Sequence, residues 1–158
     1  MIKNTFYIAE ADVAEVNKTA WNQELEQERK SAVFDLLNNS SFKLIKDKTG
    51  PYKVIFKLIE WKLFLTIFDF YCKEECDYKF SIGSIRRTIR DYQIVCENYV
   101  EAIKTAPIKK IEAIDVGRRT IHDEGATMLK ELLSEKIEIN MDTSRRIFTL
   151  ISIISVKI

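Results

Sequence analysis

The sequence has few glycines and prolines, and it has no long uninterrupted hydrophobic run. Four glycines and two prolines stand among 158 residues, of which 46% are hydrophobic. This balance is typical of a chain that buries a sizeable core, and the length suits a single domain over 1–158, with an irregular or weakly strand-like lead-in at 1–23. The longest apolar run, 147–156, is far shorter than the roughly 20 residues that a membrane-spanning helix needs. The N-terminal residues also lack the apolar core and cleavage site of a secretory signal, so we expect a cytoplasmic protein without a membrane partner.

The sequence also lacks an excess of positive or negative charge. Lys and Arg total 25 and Asp and Glu total 24, which leaves a net charge of +1 at pH 7. A protein that binds nucleic acid through its overall charge is usually strongly basic. Any binding of a phosphate-bearing small molecule or of RNA would therefore depend on a local patch.

Cysteine is scarce, and histidine occurs once. An odd number of cysteines without a disulfide-like spacing agrees with a reducing compartment. Cys72, Cys76, Cys96 and His122 would in principle make four zinc ligands. The short paired spacings of zinc sites are missing, and we expect Cys72 and Cys76 in a loop and the other two residues on different helices. We therefore predict buried or incidental thiols, no metal and no cofactor.

Hydrophobic periodicity predicts an α+β fold with one N-terminal helix, a three-stranded antiparallel meander and three C-terminal helices. The first helix is predicted at 24–38 and the next two at 84–105 and 107–134. A short extended piece is expected at 135–140. The last helix should begin at a cap formed by Asp142, Thr143 or Ser144 and run through Val156.

The meander is predicted from alternating apolar residues. If Glu60 and Trp61 form a two-residue turn, the apolar pairs on one face are Val54 with Ile67, Phe56 with Leu65 and Leu58 with Leu63. Lys57 and Lys62 then fall on the opposite face. A loop is expected at 70–77, after which Tyr78, Phe80 and Ile82 alternate as the third strand.

The longest predicted helix carries the candidate acid/base residues. Asp115 and His122 lie two turns apart on nearly the same side, and a carboxylate near an imidazole is the start of a general acid/base pair. A lone histidine beside an apolar stripe is more often a hydrogen-bonded core residue. No nucleophile elbow, glycine-rich phosphate loop or two-histidine zinc motif occurs in the sequence. Gly117 and Gly125 weaken a helix interior, so we expect close packing against them.

Several blocks, including GPYKVIFKLIEWKLFLTI, IEAIDVGRRTIHDEG and DTSRRIFTL, resemble the uncharacterised protein family 0262 of alphaproteobacteria. The resemblance covers nearly everything from Glu24 to the end, and IEAIDVGRRTIHDEG is its most specific part. It implies a small cytosolic bacterial protein and supplies no activity. The chain departs from the family at 70–79, where FYCKEECDYK stands in place of a Glu-Asp-Gly turn, and Cys72 and Cys76 belong to that departure.

Pairs of adjacent arginines occur on each of the last three predicted helices. The three doublets are Arg86 and Arg87, Arg118 and Arg119, and Arg145 and Arg146. The first and third doublets fall in the opening turn of a helix, where a cation is unfavourable and a bound anion is favoured. A phosphate or carboxylate ligand would reverse the unfavourable effect. The alternative is that Asp91 and Asp142 neutralise these doublets locally.

Three hypotheses of function follow from these residues. The first is a small binding or regulatory module whose six arginines line one site for an anion such as phosphate, a nucleotide or RNA. The second is a small enzyme that uses His122 and Asp115 as acid and base. The third is a structural or homo-oligomer-forming interaction protein in which the doublets form ion pairs.

Overall fold

Strands and helices are largely segregated along the chain, so the fold is α+β as predicted. The computed structural model describes residues 4–14, 23–46 and 49–155. In chain order its elements are β1 (Ile8–Val13), α1 (Gln23–Asn38), β2 (Phe42–Leu44), β3 (Tyr52–Ile59), β4 (Lys62–Asp69), β5 (Glu74–Ser81), α2 (Arg86–Thr105), α3 (Ile108–Leu133), β6 (Ile137–Ile139) and α4 (Met141–Ile154). A short 3₁₀ turn, Gly83–Ile85, leads into α2. None of the helices in the described ranges is long and apolar enough to cross a membrane.

The main sheet has four strands in the order β1, β3, β4, β5. Strands β3, β4 and β5 form the predicted antiparallel meander. Strand β1 joins the other side of β3 in the parallel direction, with Ala11 opposite Val54. The predicted meander therefore makes up three of the four strands, and the sheet as a whole is mixed because of β1. A parallel partner far away in the sequence leaves no mark in the local pattern, so the expected lead-in at 1–23 concealed β1. Residues 1–3 and 15–22 of that lead-in lie outside the described residues.

The predicted register of the hairpin formed by β3 and β4 is confirmed. Leu58 lies opposite Leu63, Phe56 opposite Leu65 and Val54 opposite Ile67. Glu60 and Trp61 form the two-residue turn with φ values of 49° and 61°, both in the left-handed region. Two successive left-handed residues match the twist of the flanking strands. Side chains other than glycine adopt this conformation at a cost, and for Trp61 burial offsets it, because the residue is only 8% exposed.

The prediction of a loop at 70–77 is wrong for residues 74–77. Strand β5 begins at Glu74 and pairs with β4 along its full length, so Cys76 lies in a strand. The connection is only the four-residue turn at 70–73. The segment Glu74-Glu75-Cys76-Asp77 shows no apolar alternation, because an edge strand tolerates charged side chains.

The helices cover one face of the sheet. One buried cluster contains inward residues of the hairpin, the end of the 3₁₀ turn and residues of α2 and α4: Val54, Phe56, Leu58, Leu63, Leu65 and Ile67 of the sheet, Ile85 of the 3₁₀ turn, Ile89 and Tyr92 of α2, and Ile147, Phe148, Leu150 and Ile151 of α4. This shared core fixes the end of the hairpin next to the beginning of α2, where the backbone N–H of Ile82 donates to the carbonyl of Trp61 at 2.9 Å.

Helix α4 is buried on most sides, as predicted. Its N-terminal cap is Asn140, whose side chain accepts the backbone N–H of Thr143 at 2.9 Å. The predicted caps Asp142, Thr143 and Ser144 are therefore wrong, because asparagine caps a helix as well as they do and stands earlier in the chain. The helix ends at Ile154, and its predicted end at Val156 lies outside the described residues.

The extended piece predicted at 135–140 is confirmed as β6, which pairs with β2 in a second, antiparallel sheet.

The two glycines within α3 differ in how closely other residues pack against them. A Cβ atom at Gly125 would lie 2.2 Å from the ring of Phe148, so close helix packing is confirmed there. Nothing lies within 4 Å of the same position at Gly117, so the packing prediction is wrong there.

Candidate functional site

The six arginines predicted to line one site do not share one hollow. The guanidinium group of Arg86 lies 5.3 Å from the ring centre of Trp61, whereas that of Arg118 lies 4.7 Å from the ring centre of Tyr99. Because an α-helix rises 1.5 Å per residue, Arg86 and Tyr99 are separated by about 20 Å along α2. The first doublet is therefore at the opposite end of α2 from the second.

The second doublet is held by its own helix. Arg118 Nη2 lies 2.5 Å from Asp115 Oδ1 and Arg119 Nη2 lies 3.0 Å from Asp115 Oδ2, so one carboxylate binds both guanidinium groups. The hydrogen bond from Arg118, together with the charge of Arg119, lowers the pKa of Asp115 below its usual value. Asp115 therefore stays ionised at neutral pH and forms an ion pair with both arginines, which offsets one of their two positive charges.

The third doublet is also satisfied by neighbouring groups. Arg145 lies 2.7 Å from a carboxylate oxygen of Asp123 on α3 and 2.7 Å from one of Asp142 in its own first turn. Arg146 donates to the backbone carbonyl of Asn39, just beyond the end of α1. The expectation that Asp142 neutralises Arg145 locally is confirmed, and Asp123 adds a link between α3 and α4.

His122 is a half-buried hydrogen-bonded residue. Its Nε2 lies 2.8 Å from Thr149 Oγ1, and its ring centre lies 5.1 Å from that of Tyr92 and 5.6 Å from that of Phe148. Burial lowers the pKa of His122 below its usual value, and the charges of Arg145 and Arg118 act in the same direction. The imidazole is therefore mainly neutral at pH 7.

The carboxylate and imidazole proposed as an acid/base pair are not joined by a hydrogen bond. Both oxygens of Asp115 face Arg118 and Arg119, and the ring nitrogen Nε2 of His122 faces Thr149. Spacing along the helix put Asp115 and His122 on one side correctly. The same spacing makes Asp115 and Arg119 an i, i+4 pair, and in the structure Arg119 and Arg118 occupy the carboxylate.

The three cysteines lie in different surroundings. Cys72 is exposed in the turn after β4, Cys76 lies in β5 and Cys96 lies on α2. Burial raises the pKa of the Cys96 thiol, and burial also raises the pKa of the neighbouring Tyr92 to about 12. Among the described residues, no three His, Cys, Asp or Glu side chains come together in a way that would hold a metal ion.

The first doublet differs from the other two. Arg86 and Arg90, one turn apart, both lie over the indole of Trp61, at 5.3 and 5.0 Å from the ring centre. Arg90 is fixed further by Gln93 and by the carbonyl of Ser155, at 2.8 and 3.2 Å. Arg86 and Arg87 are exposed, and within the described ranges neither forms an ion pair with a carboxylate, including that of Asp91, its expected neutralising partner.

Three lysines extend this positive surface onto the sheet. Lys57 and Lys79 lie on either side of Phe64 in the register of β3, β4 and β5, and Lys62 begins β4 beside Trp61. All three lysines are exposed, and none of them forms an ion pair with another described residue. We call Lys57, Lys62, Lys79, Arg86 and Arg87 the basic end of the sheet.

Sequence reasoning found part of the basic end. It placed Lys57 and Lys62 on the outer face and singled out Arg86 and Arg87, but it did not connect the two sets. Trp61 connects the two sets, because its ring in the hairpin turn lies under the guanidinium group of Arg86 in the first turn of α2. The available signal was the pair of arginines four residues apart directly after the third strand, opposite a hairpin turn that contains a tryptophan.

Comparison with known proteins places the chain among bacterial relatives. The model of the uncharacterised protein family UPF0262 matches residues 6–157. A UPF0262 protein of Cereibacter sphaeroides is 42% identical over 139 residues, which cover 83% of this chain and 86% of the relative. UPF0262 proteins of Jannaschia sp. and Rhizobium leguminosarum bv. trifolii are 43% and 41% identical over 133 and 131 residues, covering 83% of this chain and 85% and 83% of the relatives. No solved structure matches the chain. Because the family model spans almost the whole sequence, the chain belongs to the uncharacterised protein family UPF0262.

Proposed function

We propose that this protein is a small binding module for a phosphate-bearing ligand and that the ligand binds at the basic end of the sheet. The observation that supports this proposal most directly is the contrast between the arginine doublets. Arg118, Arg119 and Arg145 form ion pairs with aspartates, although Arg118 and Arg119 share the single carboxylate of Asp115. Arg86 and Arg87 have no carboxylate partner among the described residues, and three exposed lysines lie at the same end of the sheet.

The local backbone adds to the attraction for an anion. Helix α2 begins at Arg86 without a side-chain cap, and the backbone N–H of Arg86 donates to the carbonyl of Gly83 in the preceding 3₁₀ turn. The positive end of the helix dipole disfavours cations there and favours an anion. A phosphate group would supply acceptors to the two guanidinium groups at this positive end of the helix.

Trp61 prepares the site for binding. The indole holds Arg86 and Arg90 against one ring, and stacking of guanidinium groups on an aromatic face restricts their motion. A ligand then loses less free energy to ordering these side chains than it would on a fully mobile surface.

The other two hypotheses have different support. The acid/base pair lacks its hydrogen bond, so no contact favours a small enzyme that uses His122 and Asp115. The ion pair between Arg145 and Asp123 joins α3 to α4 within one chain, which is the structural role that the interaction-protein hypothesis gives to the doublets. Formation of homo-oligomers stays a prediction.

Thermal unfolding with inorganic pyrophosphate tests the proposed function. Pyrophosphate at about ten times its dissociation constant should stabilise the protein by about 1.4 kcal/mol and raise the Tm by about 3–5 °C. The double variant Arg86→Gln, Arg87→Gln should lose most of this increase. Arg87→Gln alone should lose part of it without disturbing Trp61.

A matched control exists at the start of α3. Lys109 and Lys110 are also two adjacent exposed cations in a first helical turn, so Lys109→Gln, Lys110→Gln removes the same charge from an equivalent position. This control should keep the full response to pyrophosphate. An equal response in both double variants, or no response in the unaltered protein, would contradict the proposed function.

A further inference from the structure

We infer that the phosphate-bearing ligand is single-stranded nucleic acid, which lies along β4 on the outer face of the sheet and stacks bases on Phe64 and Phe68. This inference rests on the proposed function, because it places the phosphates of the strand at the basic end. It adds the class of ligand and a second set of contacts on the sheet.

The outer face of the sheet is open to a ligand. Inward residues of the hairpin such as Phe56 and Leu65 are buried under the helices, whereas the outward residues Phe64 and Phe68 of β4 remain partly exposed. These two rings point to the same side, since side chains alternate along a strand, and they are about 13 Å apart at 3.3 Å per residue. That separation suits two bases of one extended strand.

The register surrounds Phe64 with positive charge. Lys57 of β3 and Lys79 of β5 are its direct cross-strand neighbours, and such neighbours have Cβ atoms about 5 Å apart. An aromatic ring between two ammonium groups offers a surface for the face of a base and a charge for the phosphate on each side. An acidic peptide would satisfy the lysines but would leave the ring without a planar partner.

A hollow beside Phe68 continues the surface. It has a volume of about 270 Å³ and is lined by Phe68, Ile55 and Lys53, with the carboxylates of Glu10 and Glu75 at its sides. Carboxylates accept hydrogen bonds from the exocyclic amino groups of cytosine and adenine. A base that follows the one on Phe64 therefore finds apolar contact and amino-group acceptors in this hollow.

The distribution of charge favours one strand over two. The half of the outer face near the hairpin turn carries Lys57, Lys62 and Lys79, whereas the other half carries Glu10, Glu75 and Asp77 with Lys53 among them, so it remains net acidic. A duplex would bring phosphates of both strands over this surface and would meet the acidic half. A single strand can keep its phosphates on the basic half and direct a base towards the carboxylates.

Fluorescence anisotropy with labelled oligocytidylate tests the inference, and the DNA oligomer of the same sequence tests whether the 2′-hydroxyl contributes. We expect the RNA and DNA oligomers to bind alike, because contacts to base faces and phosphates do not involve the 2′-hydroxyl. Three phosphate contacts on the sheet, to Lys57, Lys62 and Lys79, predict a slope of about −2 for log K against log salt concentration. Duplex RNA should bind much more weakly.

Two variants separate stacking from charge. Phe64→Leu keeps an apolar side chain but removes the ring, and it should weaken binding about ten-fold or more, while the Tm increase with pyrophosphate stays unchanged. Lys57→Gln, Lys79→Gln changes only exposed side chains, and it should weaken binding and reduce the salt slope to about −0.7. The control Lys109→Gln, Lys110→Gln should bind like the unaltered protein.

The outcomes distinguish this inference from the proposed function. Binding that is unaffected by Phe64→Leu, or that is weakened equally by the lysine control, would overturn stacking on the sheet and indicate non-specific attraction. If pyrophosphate stabilises the protein through Arg86 and Arg87 but no single strand binds, the inference fails and the proposed function stands. If neither ligand binds, both fail.

Discussion

At the scale of single residues, His122 is held in a half-buried position between helices. Thr149 Oγ1 lies 2.8 Å from His122 Nε2 and donates to the carbonyl of Arg145 at 3.0 Å. The ring also forms a hydrogen bond with the backbone of Arg145, which acts against the effect of burial on its pKa. A second proton on the ring would place a charge between Tyr92 and Phe148, where burial disfavours it.

The charge of His122, and with it the folding stability, should depend on pH. His122 is the only histidine, so a single imidazole resonance in NMR should titrate with a midpoint below 6.5, the value it would have in an unfolded chain. Because the unfolded chain binds this proton more tightly than the folded protein, folding stability is fully present above pH 6.5 and decreases as the pH falls towards the lower folded pKa.

Urea unfolding at a series of pH values checks the same effect. The unaltered protein should lose stability on acidification from about pH 7.5 to about pH 5.5, and His122→Gln should lose less, because glutamine does not titrate. A resonance midpoint at or above 6.5, or an identical pH dependence in the variant, would contradict the neutral buried imidazole.

The partners of the charged residues also show what a sequence can reveal at this scale. The pair of Asp115 with Arg119 was predictable, because residues four apart on a helix are neighbours. The approach of Asp123 to Arg145 and of Arg146 to Asn39 was not, because each contact joins elements that are adjacent only after the helices pack. The same dependence on packing hid the basic end of the sheet, whose residues come from three strands and a helix.

At the scale of elements, α3 and α4 meet closely at one glycine. The ring of Phe148 is fully buried and lies where a side chain at Gly125 would begin. The hydroxyl of Ser144 donates to the carbonyl of Ala126 at 2.6 Å and holds the two helices together one turn away. The backbones therefore have little freedom to separate.

The two glycines of α3 give a matched pair of variants. Gly125→Ala should lower the free energy of unfolding by about 1–3 kcal/mol, because the added methyl group meets a ring that cannot move away in a dense core. Gly117→Ala should raise it by about 0.5–1 kcal/mol, because its surroundings are open and alanine favours a helix. Urea unfolding measures both changes, and a stabilising Gly125→Ala would show that the two helices are more loosely packed.

Elements with a local repeat were predictable, and elements with a distant partner were not. The expected helix at 24–38 corresponds to α1, Gln23–Asn38, because the spacing of Ala32 and Leu36 marks a buried stripe. The hairpin register followed from period-two alternation. Strand β1 was expected only as a weakly strand-like lead-in, because it depends on a parallel neighbour far along the chain, and β2 was missed because it is only three residues long.

At the scale of the whole molecule, β1 completes the sheet and connects it to the helical layer. Ile8 is fully buried, and its backbone N–H donates to Ser40 Oγ, after the end of α1, at 2.9 Å. Arg29 of α1 pairs with Asp12 of β1 at 3.3 Å. The beginning of the described chain is thus integrated in the core.

Truncation of one side chain tests how far the fold depends on β1. Ile8→Ala should lower the free energy of unfolding by about 2–5 kcal/mol, because it leaves a cavity between the sheet and α1. Glu10→Ala on the same strand removes an exposed side chain and should change stability by about 0.5 kcal/mol or less. Equal effects of both substitutions in urea unfolding would mean that β1 contributes little to the core.

The position of β5 has a consequence for how copies of the chain meet. Within the described residues, β5 has one neighbouring strand, β4, so it is an edge strand of the sheet. Exposed Glu74, Glu75 and Asp77 line that rim, and the same carboxylates would face one another if two copies tried to join there. The charged residues that concealed β5 in the sequence therefore disfavour aggregation through extension of the sheet.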